Sequence, residues 1–237
     1  MKFFQKDKRV RAGQLQLVSL HIPKTAGTSF RNILKSVYGE EQVVRFDIKI
    51  KTRKIDIESV PFDESSLPAH IRVIHGHFHY TDLVEQVNIP ETAKWITWLR
   101  EPSDRVLSNY FYLSERLREE LDEEKRGLNI LAKMQRTLIE FARDEINRNR
   151  MSKFLHGADL SRFDFIGLQE QYDSDLKHLA QILNWPEYPV FRHNVTRSRP
   201  TVDPDVLSEI RELNRNDYEL YEEALMWRKN YFNNAGA

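Results

Sequence analysis

An apolar run, Leu15–Gln16–Leu17–Val18–Ser19–Leu20–His21, leads directly into Ile22–Pro23–Lys24–Thr25–Ala26–Gly27–Thr28–Ser29–Phe30. A buried strand that delivers a lysine, a glycine and several hydroxyls onto a helix start is an anion-binding architecture. The first N–H groups of a helix have no partner within it and carry partial positive charge, so a phosphate docks there. Thr25, Thr28 and Ser29 add hydroxyl donors and Lys24 a full charge. The usual nucleotide pattern, G-x-x-x-x-G-K-[ST], puts its lysine after the last glycine. Here Lys24 precedes Gly27 and follows a proline, so the loop is shorter and its lysine enters earlier.

A second strand-to-helix unit lies downstream. Trp95–Ile96–Thr97–Trp98–Leu99 reads as a buried strand, and the chain continues Arg100–Glu101–Pro102–Ser103–Asp104–Arg105–Val106–Leu107–Ser108–Asn109–Tyr110. Pro102 suits a first helical turn, where its missing N–H costs nothing, and Asp104 suits the positive end of the helix dipole. Arg100 then stands at the carboxyl end of a strand, where open parallel sheets bind ligands, and is placed for bidentate pairing with a phosphate. Ser108 follows roughly 9 Å along the helix from Pro102.

Between these units, Ile71–Arg72–Val73–Ile74 is a β-branched strand that runs into His75–Gly76–His77–Phe78–His79. Alternate strand residues share a face, so three histidines at this spacing admit a metal site. Gly76 weakens that reading, because glycine breaks strand regularity and the rings need not converge. A proton-transfer role or a purely structural one also remains open, histidine being the side chain that titrates near neutral pH.

Together, these three stretches resemble the sulfotransferases that use 3′-phosphoadenosine 5′-phosphosulfate (PAPS), especially the carbohydrate 2-O-sulfotransferase branch (heparan sulfate/uronyl). The resemblance implies a P-loop NTP-hydrolase-like fold, a mostly parallel sheet with helices on both faces and a strand order like the phosphate-loop kinases. It implies that Thr25, Ala26, Gly27, Thr28 and Ser29, with Lys24, hold the 5′-phosphosulfate, and that Arg100 and Ser108 hold the 3′-phosphate. It also implies that Lys24 acts on the bridging oxygen and that His77, with His75 as neighbour or substitute, is the catalytic base. In the family a late loop closes over the nucleotide, which makes Thr196, Arg197 and Ser198 candidate donor contacts. A strand, a glycine and a glutamate also recur in the family where Gly167 and Glu170 stand; a helix-start carboxylate is the simpler role for Glu170. PAPS is then the donor, its desulfonated form PAP the product, and a glycan or glycolipid hydroxyl the acceptor. A transferred sulfuryl group carries less charge than a phosphoryl group, so no metal is required. A kinase of the same fold class and a catalytically silent nucleotide-binding module are the rivals, but kinases commonly hold magnesium with a strand-end aspartate. The strand ends here present Arg100 and His75 instead.

The alternation of strands and helices supports a single α/β domain over 1–237, which is long enough for one sizeable core. Val43–Phe46 reads as a strand, and 49–57 alternates like an edge strand or hairpin arm. Residues 113–155 are charged and helical in character, an insertion broken at Gly127. As one wall of the acceptor cleft it would turn Arg143, Arg148, Arg150 and Lys153 toward an anionic substrate; a surface helical hairpin is the simpler reading. Net charge is zero, which argues against nucleic acid as a partner. There is no cysteine, so disulfides are excluded. No stretch reaches membrane-spanning length and Met1–Arg9 lacks the apolar centre of a secretory signal, so a cytoplasmic protein is expected. Golgi members of the family carry an N-terminal anchor; its absence suggests a bacterial enzyme or a trimmed chain.

Overall fold

The computed structural model describes residues 9–49, 51–122, 136–189 and 201–235. A seven-stranded sheet forms the frame, in the spatial order β5-β4-β3-β6-β2-β8-β9. Its parallel part comprises β3 (Val43–Ile48), β6 (Val73–Gly76), β2 (Leu17–Leu20), β8 (Lys94–Leu99) and β9 (Phe165–Leu168). The antiparallel β4 (Ile55–Ile57) and β5 (Val60–Phe62) close one edge as a hairpin. Among its described residues, the alternating run after Lys49 yields a strand only at Ile55–Ile57. A separate pair joins β1 (Val10–Arg11) to β7 (Val87–Asn88) in parallel.

Successive strand residues feed opposite faces, as a pleated sheet requires. Val18, Leu20, Ile74, Trp95 and Ile166 enter one apolar cluster, whereas Leu17, Val73, Ile96, Trp98 and Phe165 enter the other. Helix α1 (Gly27–Tyr38) covers the second face with Phe30, Ile33 and Leu34, beside Leu176 and Leu179 of α6 (Tyr172–Ile182). The first face takes Leu83 of α2 (Tyr80–Gln86), Met151 and Phe154 of α5 (Arg150–Phe154), and Ala224 of α8 (Arg215–Ala235). Helices therefore pack on both faces, giving the expected three layers. Burying each large aliphatic side chain supplies about 1.5–3 kcal/mol.

Two features position the site. Strand β2 is central, with β6 on one side and β8 on the other, so the chain leaves its carboxyl end at a topological switch point, where open α/β sheets bind ligands. Gly76 does not interrupt β6 but belongs to it, paired with Leu20. A Cβ there would lie 1.8 Å from the Phe46 carbonyl oxygen, so only glycine lets β3 approach this closely. The glycine between the histidines serves sheet packing.

Helix α3 (Pro102–Asp122) passes through Leu113 without a break. The rest of the predicted insertion includes α4 (Leu138–Arg143) and α5, while Gly127 lies outside the described residues. Helix α7 (Pro204–Leu213) packs on α4 and α3 through Ile210 and its neighbours. A buried pair fixes α8 to the sheet: Arg228 donates to the Ile166 carbonyl and to Asp175, and Asp175 accepts from the Leu168 N–H. No described helix is long and apolar enough to cross a membrane.

Candidate active site

The loop from His21 to Ala26 leaves β2 and opens α1 with two strained residues. Lys24 (φ 77°) and Ala26 (φ 65°) both adopt the left-handed conformation, uncommon for side chains other than glycine and held only where surrounding contacts enforce it. One such contact is the buried Thr25 hydroxyl, which donates to the Ile22 carbonyl at 2.8 Å. The Thr25 hydroxyl thus braces the loop from within. Left-handed turns of this kind direct successive N–H groups into one concavity. Ala26 caps α1 with no side-chain hydrogen bond. Thr28 is exposed at the helix start and Ser29 is buried one residue on.

Gly27 makes room for a neighbouring ring. A Cβ on it would fall 2.0 Å from the His21 ring, so the imidazole packs against the bare helix start.

Arg100 follows β8 and is buried at 7% exposure, and its Nη1 donates to the Lys24 carbonyl at 3.3 Å. The two predicted anion-binding elements thus touch. The Lys24 ammonium lies 3.6 Å from the centre of the Tyr112 ring, a cation–π contact reaching across from α3. Ser108 is half-buried on α3. The start of that helix is organised by carboxylates: Glu101 accepts from the Asp104 N–H at 2.6 Å, and Glu170 accepts from the Glu101 N–H at 2.7 Å. Glu170 therefore supports the entry to α3, although it sits just ahead of α6.

The histidines separate into distinct environments. His75 is 4% exposed, its Nδ1 is 2.8 Å from the Ser19 hydroxyl, and its ring stacks on His21 at 5.1 Å between centroids. Burial, then the neighbouring His77 and Arg31, pushes its pKa down to about 3, against a weaker upward pull from its hydrogen bond with the Gly27 backbone. His21 is likewise held well below the usual imidazole value, first by burial and then by His75, His77, Arg45 and Lys24. His77 is different. Its side chain is 36% exposed, its Nδ1 lies 3.1 Å from Asp47 Oδ1, and its backbone N–H donates to the same oxygen at 2.9 Å. The other Asp47 oxygen accepts from Arg45 Nε at 2.6 Å. Burial would raise the Asp47 pKa, but the His77 hydrogen bonds and the Arg45 charge outweigh it and hold the carboxyl at about 2.

His79 turns away from this pair, toward the Phe154 ring and, at 3.8 Å, Asp82. The alternate-position argument fails here because β6 ends at Gly76, so the residues beyond it no longer share a strand face. Among the described residues, no group of three or more His, Cys, Asp or Glu side chains is arranged to hold a metal ion.

A stability prediction follows from the depressed histidines. In the unfolded chain His75 takes up a proton near pH 6.5, whereas in the fold it does so only near 3. The unfolded state therefore binds more protons between these values, and stability falls as pH drops through that window. For His75 alone the slope approaches about 1.4 kcal/mol per pH unit below pH 6, which amounts to about 1.6 kcal/mol between pH 6.5 and 5. Urea denaturation at both pH values should show a shallower acid loss for His75→Gln than for the parent chain. Equal losses would contradict the buried neutral ring.

A cleft of about 240 Å3 opens beside His77, lined by Pro23, Ile48, Phe78, His79, Arg150 and Phe154. Of the four cations assigned to the acceptor wall, only Arg150 lines it. Arg143 pairs with Glu209 through two hydrogen bonds, Lys153 donates to the Glu145 carbonyl, and Arg148 donates to the Arg143 carbonyl. Thr196, Arg197 and Ser198 lie outside the described residues.

Three participants escaped the sequence reading. His21 was visible as the first residue of the loop motif, but nothing in the sequence indicated that its ring would meet His75 and His77. Ser19 reads as one polar residue in a buried strand. Asp47 carried a weak signal, a carboxylate in a strand whose neighbours Phe46 and Ile48 are buried.

A loop, a strand-end arginine and a histidine–carboxylate pair thus gather at the switch point of a parallel sheet, where open α/β sheets bind ligands. The chain belongs to the Sulfotransferase family, which it matches over residues 8–222. Comparison with curated proteins by sequence gives no match. Among solved structures, it is similar to mouse sulfotransferase SULT7A1 complexed with PAP, at 13% identity and a TM-score of 0.41, covering 86% of this chain and 65% of the mouse protein. It is also similar to a sulfotransferase from Alicyclobacillus acidocaldarius, at 13% identity and a TM-score of 0.45, covering 87% of this chain and 93% of the other. The chain thus spans just under two thirds of the mouse protein's length.

Proposed function

We propose that this chain transfers a sulfuryl group from PAPS to a hydroxyl group of a carbohydrate, in the manner of the 2-O-sulfotransferase branch. The observation that supports the reading is the contact between Arg100 and the Lys24 carbonyl, which joins the two candidate phosphate-binding elements with His77 nearby at the same sheet end. The residues fit such a donor. The strained loop offers N–H groups to the 5′-phosphate, and Arg100, with Ser108 on α3, is suited to the 3′-phosphate. The donor supplies an activated sulfuryl group whose bond to the bridging oxygen breaks as the acceptor oxygen attacks.

The chain's own residues then have three tasks. Lys24 neutralises charge that grows on the bridging oxygen. His77 takes the proton of the acceptor hydroxyl, since it faces the cleft while His75 is engaged by Ser19 and buried. The apolar floor of Pro23, Ile48, Phe78 and Phe154 supports the acceptor ring.

The donor assignment is tested by ligand-induced stabilisation. PAP at a hundred times its Kd should stabilise the fold by about 2.7 kcal/mol, whereas ATP, with no 3′-phosphate for Arg100, should do much less. Equal stabilisation by ATP with magnesium-dependent hydrolysis would identify the kinase rival.

A further inference from the structure

We propose that Asp47 is a positioning residue for His77, selecting the tautomer that carries its proton on Nδ1 and leaves the Nε2 lone pair toward the cleft. This rests on the reading of His77 as the base. Asp47 Oδ1 receives both the backbone N–H and, at 3.1 Å, the Nδ1 side of the same residue, so it fixes main chain and ring together. Its second oxygen is occupied by Arg45 Nε at 2.6 Å. The carboxylate therefore cannot rotate away without losing contacts on both sides, and with the carboxyl at about 2 it stays ionised at neutral pH. A carboxylate accepts but does not donate, which makes Nδ1 the donor and Nε2 the acceptor.

The same geometry serves the transfer step. The acceptor O–H gives its proton to Nε2 as the new O–S bond forms. The bond from sulfur to the bridging oxygen breaks, and its electron pair leaves with PAP. The resulting imidazolium is neutralised by Asp47, and the Nε2 proton then passes to solvent. An orienting carboxylate behind a catalytic histidine acts in this way in hydrolytic triads.

Several charged or titratable groups surround the pair. Arg45 on β3 bears on Asp47, His21 and Lys24 come from the loop, His75 from β6, and His79 and Arg150 stand on the cleft wall. The neighbouring carboxylates have other partners: Glu58 accepts from the Arg45 N–H and pairs with Arg31, and Asp82 lies 3.8 Å from His79 and pairs with Arg53.

Asp47→Asn preserves shape but removes the carboxylate charge and sets an NH2 group against either Arg45 Nε or the His77 N–H, both donors, so the two-sided hold that enforces the Nδ1–H form is broken. Long-range 1H–15N spectra of the full chain saturated with PAP report the tautomer directly. The wild type should show the Nδ1–H form, and Asp47→Asn should lose it. With PAPS and a desulfated polysaccharide acceptor, Asp47→Asn should lower kcat about 10²-fold with acceptor KM nearly unchanged. The acid limb of its pH–rate profile should move to lower pH, while PAP still raises the melting temperature as in the wild type. An Nε2–H tautomer in the wild type would overturn the proposal without any variant having to fold. So would an Asp47→Asn protein with unchanged tautomer and kcat. If His77→Ala keeps full turnover while Asp47→Asn still switches the tautomer, the base reading fails and takes with it the catalytic role of Asp47, but not its hold on the ring.

Discussion

Lys24→Ala is expected to lower turnover about 10²–10³-fold while weakening PAP binding less than tenfold. The asymmetry comes from when charge develops. Before transfer the bridging oxygen is neutralised by the sulfuryl group it carries, and the loop N–H groups already hold the 5′-phosphate. As the bond breaks, that oxygen acquires charge that a nearby cation offsets, the role proposed here for Lys24, whose backbone is held at φ 77°. Its contact with Tyr112 is an exposed cation–π interaction worth about 0.5–1 kcal/mol, small enough to be exchanged for an anion. Steady-state kinetics with PAPS, together with calorimetric titration of PAP, separates the two effects. A variant that lost only affinity would make Lys24 an anchor with no special part in the transition state.

The loop, the strand-end arginine and the sheet architecture were legible because each is local: apolar strands a few residues long, punctuated by Pro, Gly and a charge at a helix start. Helix α1 begins at Gly27, inside the loop motif that marked a helix start. What was not legible depends on contacts distant in sequence. Gly76 reads as a strand breaker, yet it is a strand residue whose missing side chain admits the Phe46 carbonyl. Nor does the sequence show that the Thr25 hydroxyl donates to the carbonyl of Ile22. Asp47 stands 30 residues from His77, one position beyond the Val43–Phe46 run that reads as a strand. The charged run after Leu113 concealed the fact that Arg143 has a partner in Glu209, 66 residues away.

That long-range information also decides between the two histidines of the His75–Gly76–His77 segment, and so sets the other large expected effect. His77→Ala should reduce turnover roughly 10²–10⁴-fold while leaving PAP affinity intact, because a general base contributes to proton removal and not to donor binding. His75→Ala should behave differently from His77→Ala. Its ring holds the Ser19 hydroxyl and stacks on His21, so its removal leaves Ser19 without that partner and opens space beneath the loop. The expected signature is a lower melting temperature and weaker PAP binding. The two variants together discriminate sharply: loss of kcat at constant stability for one, loss of stability and donor affinity for the other. Chelators should leave the wild-type rate unchanged, and His79→Ala, whose ring packs on Phe154 apart from the His77 pair, should retain far more activity than His77→Ala. If His75→Ala instead lost turnover with its stability intact, the base would have to be assigned to the buried ring, and the half-buried His77–Asp47 pair would be left to binding.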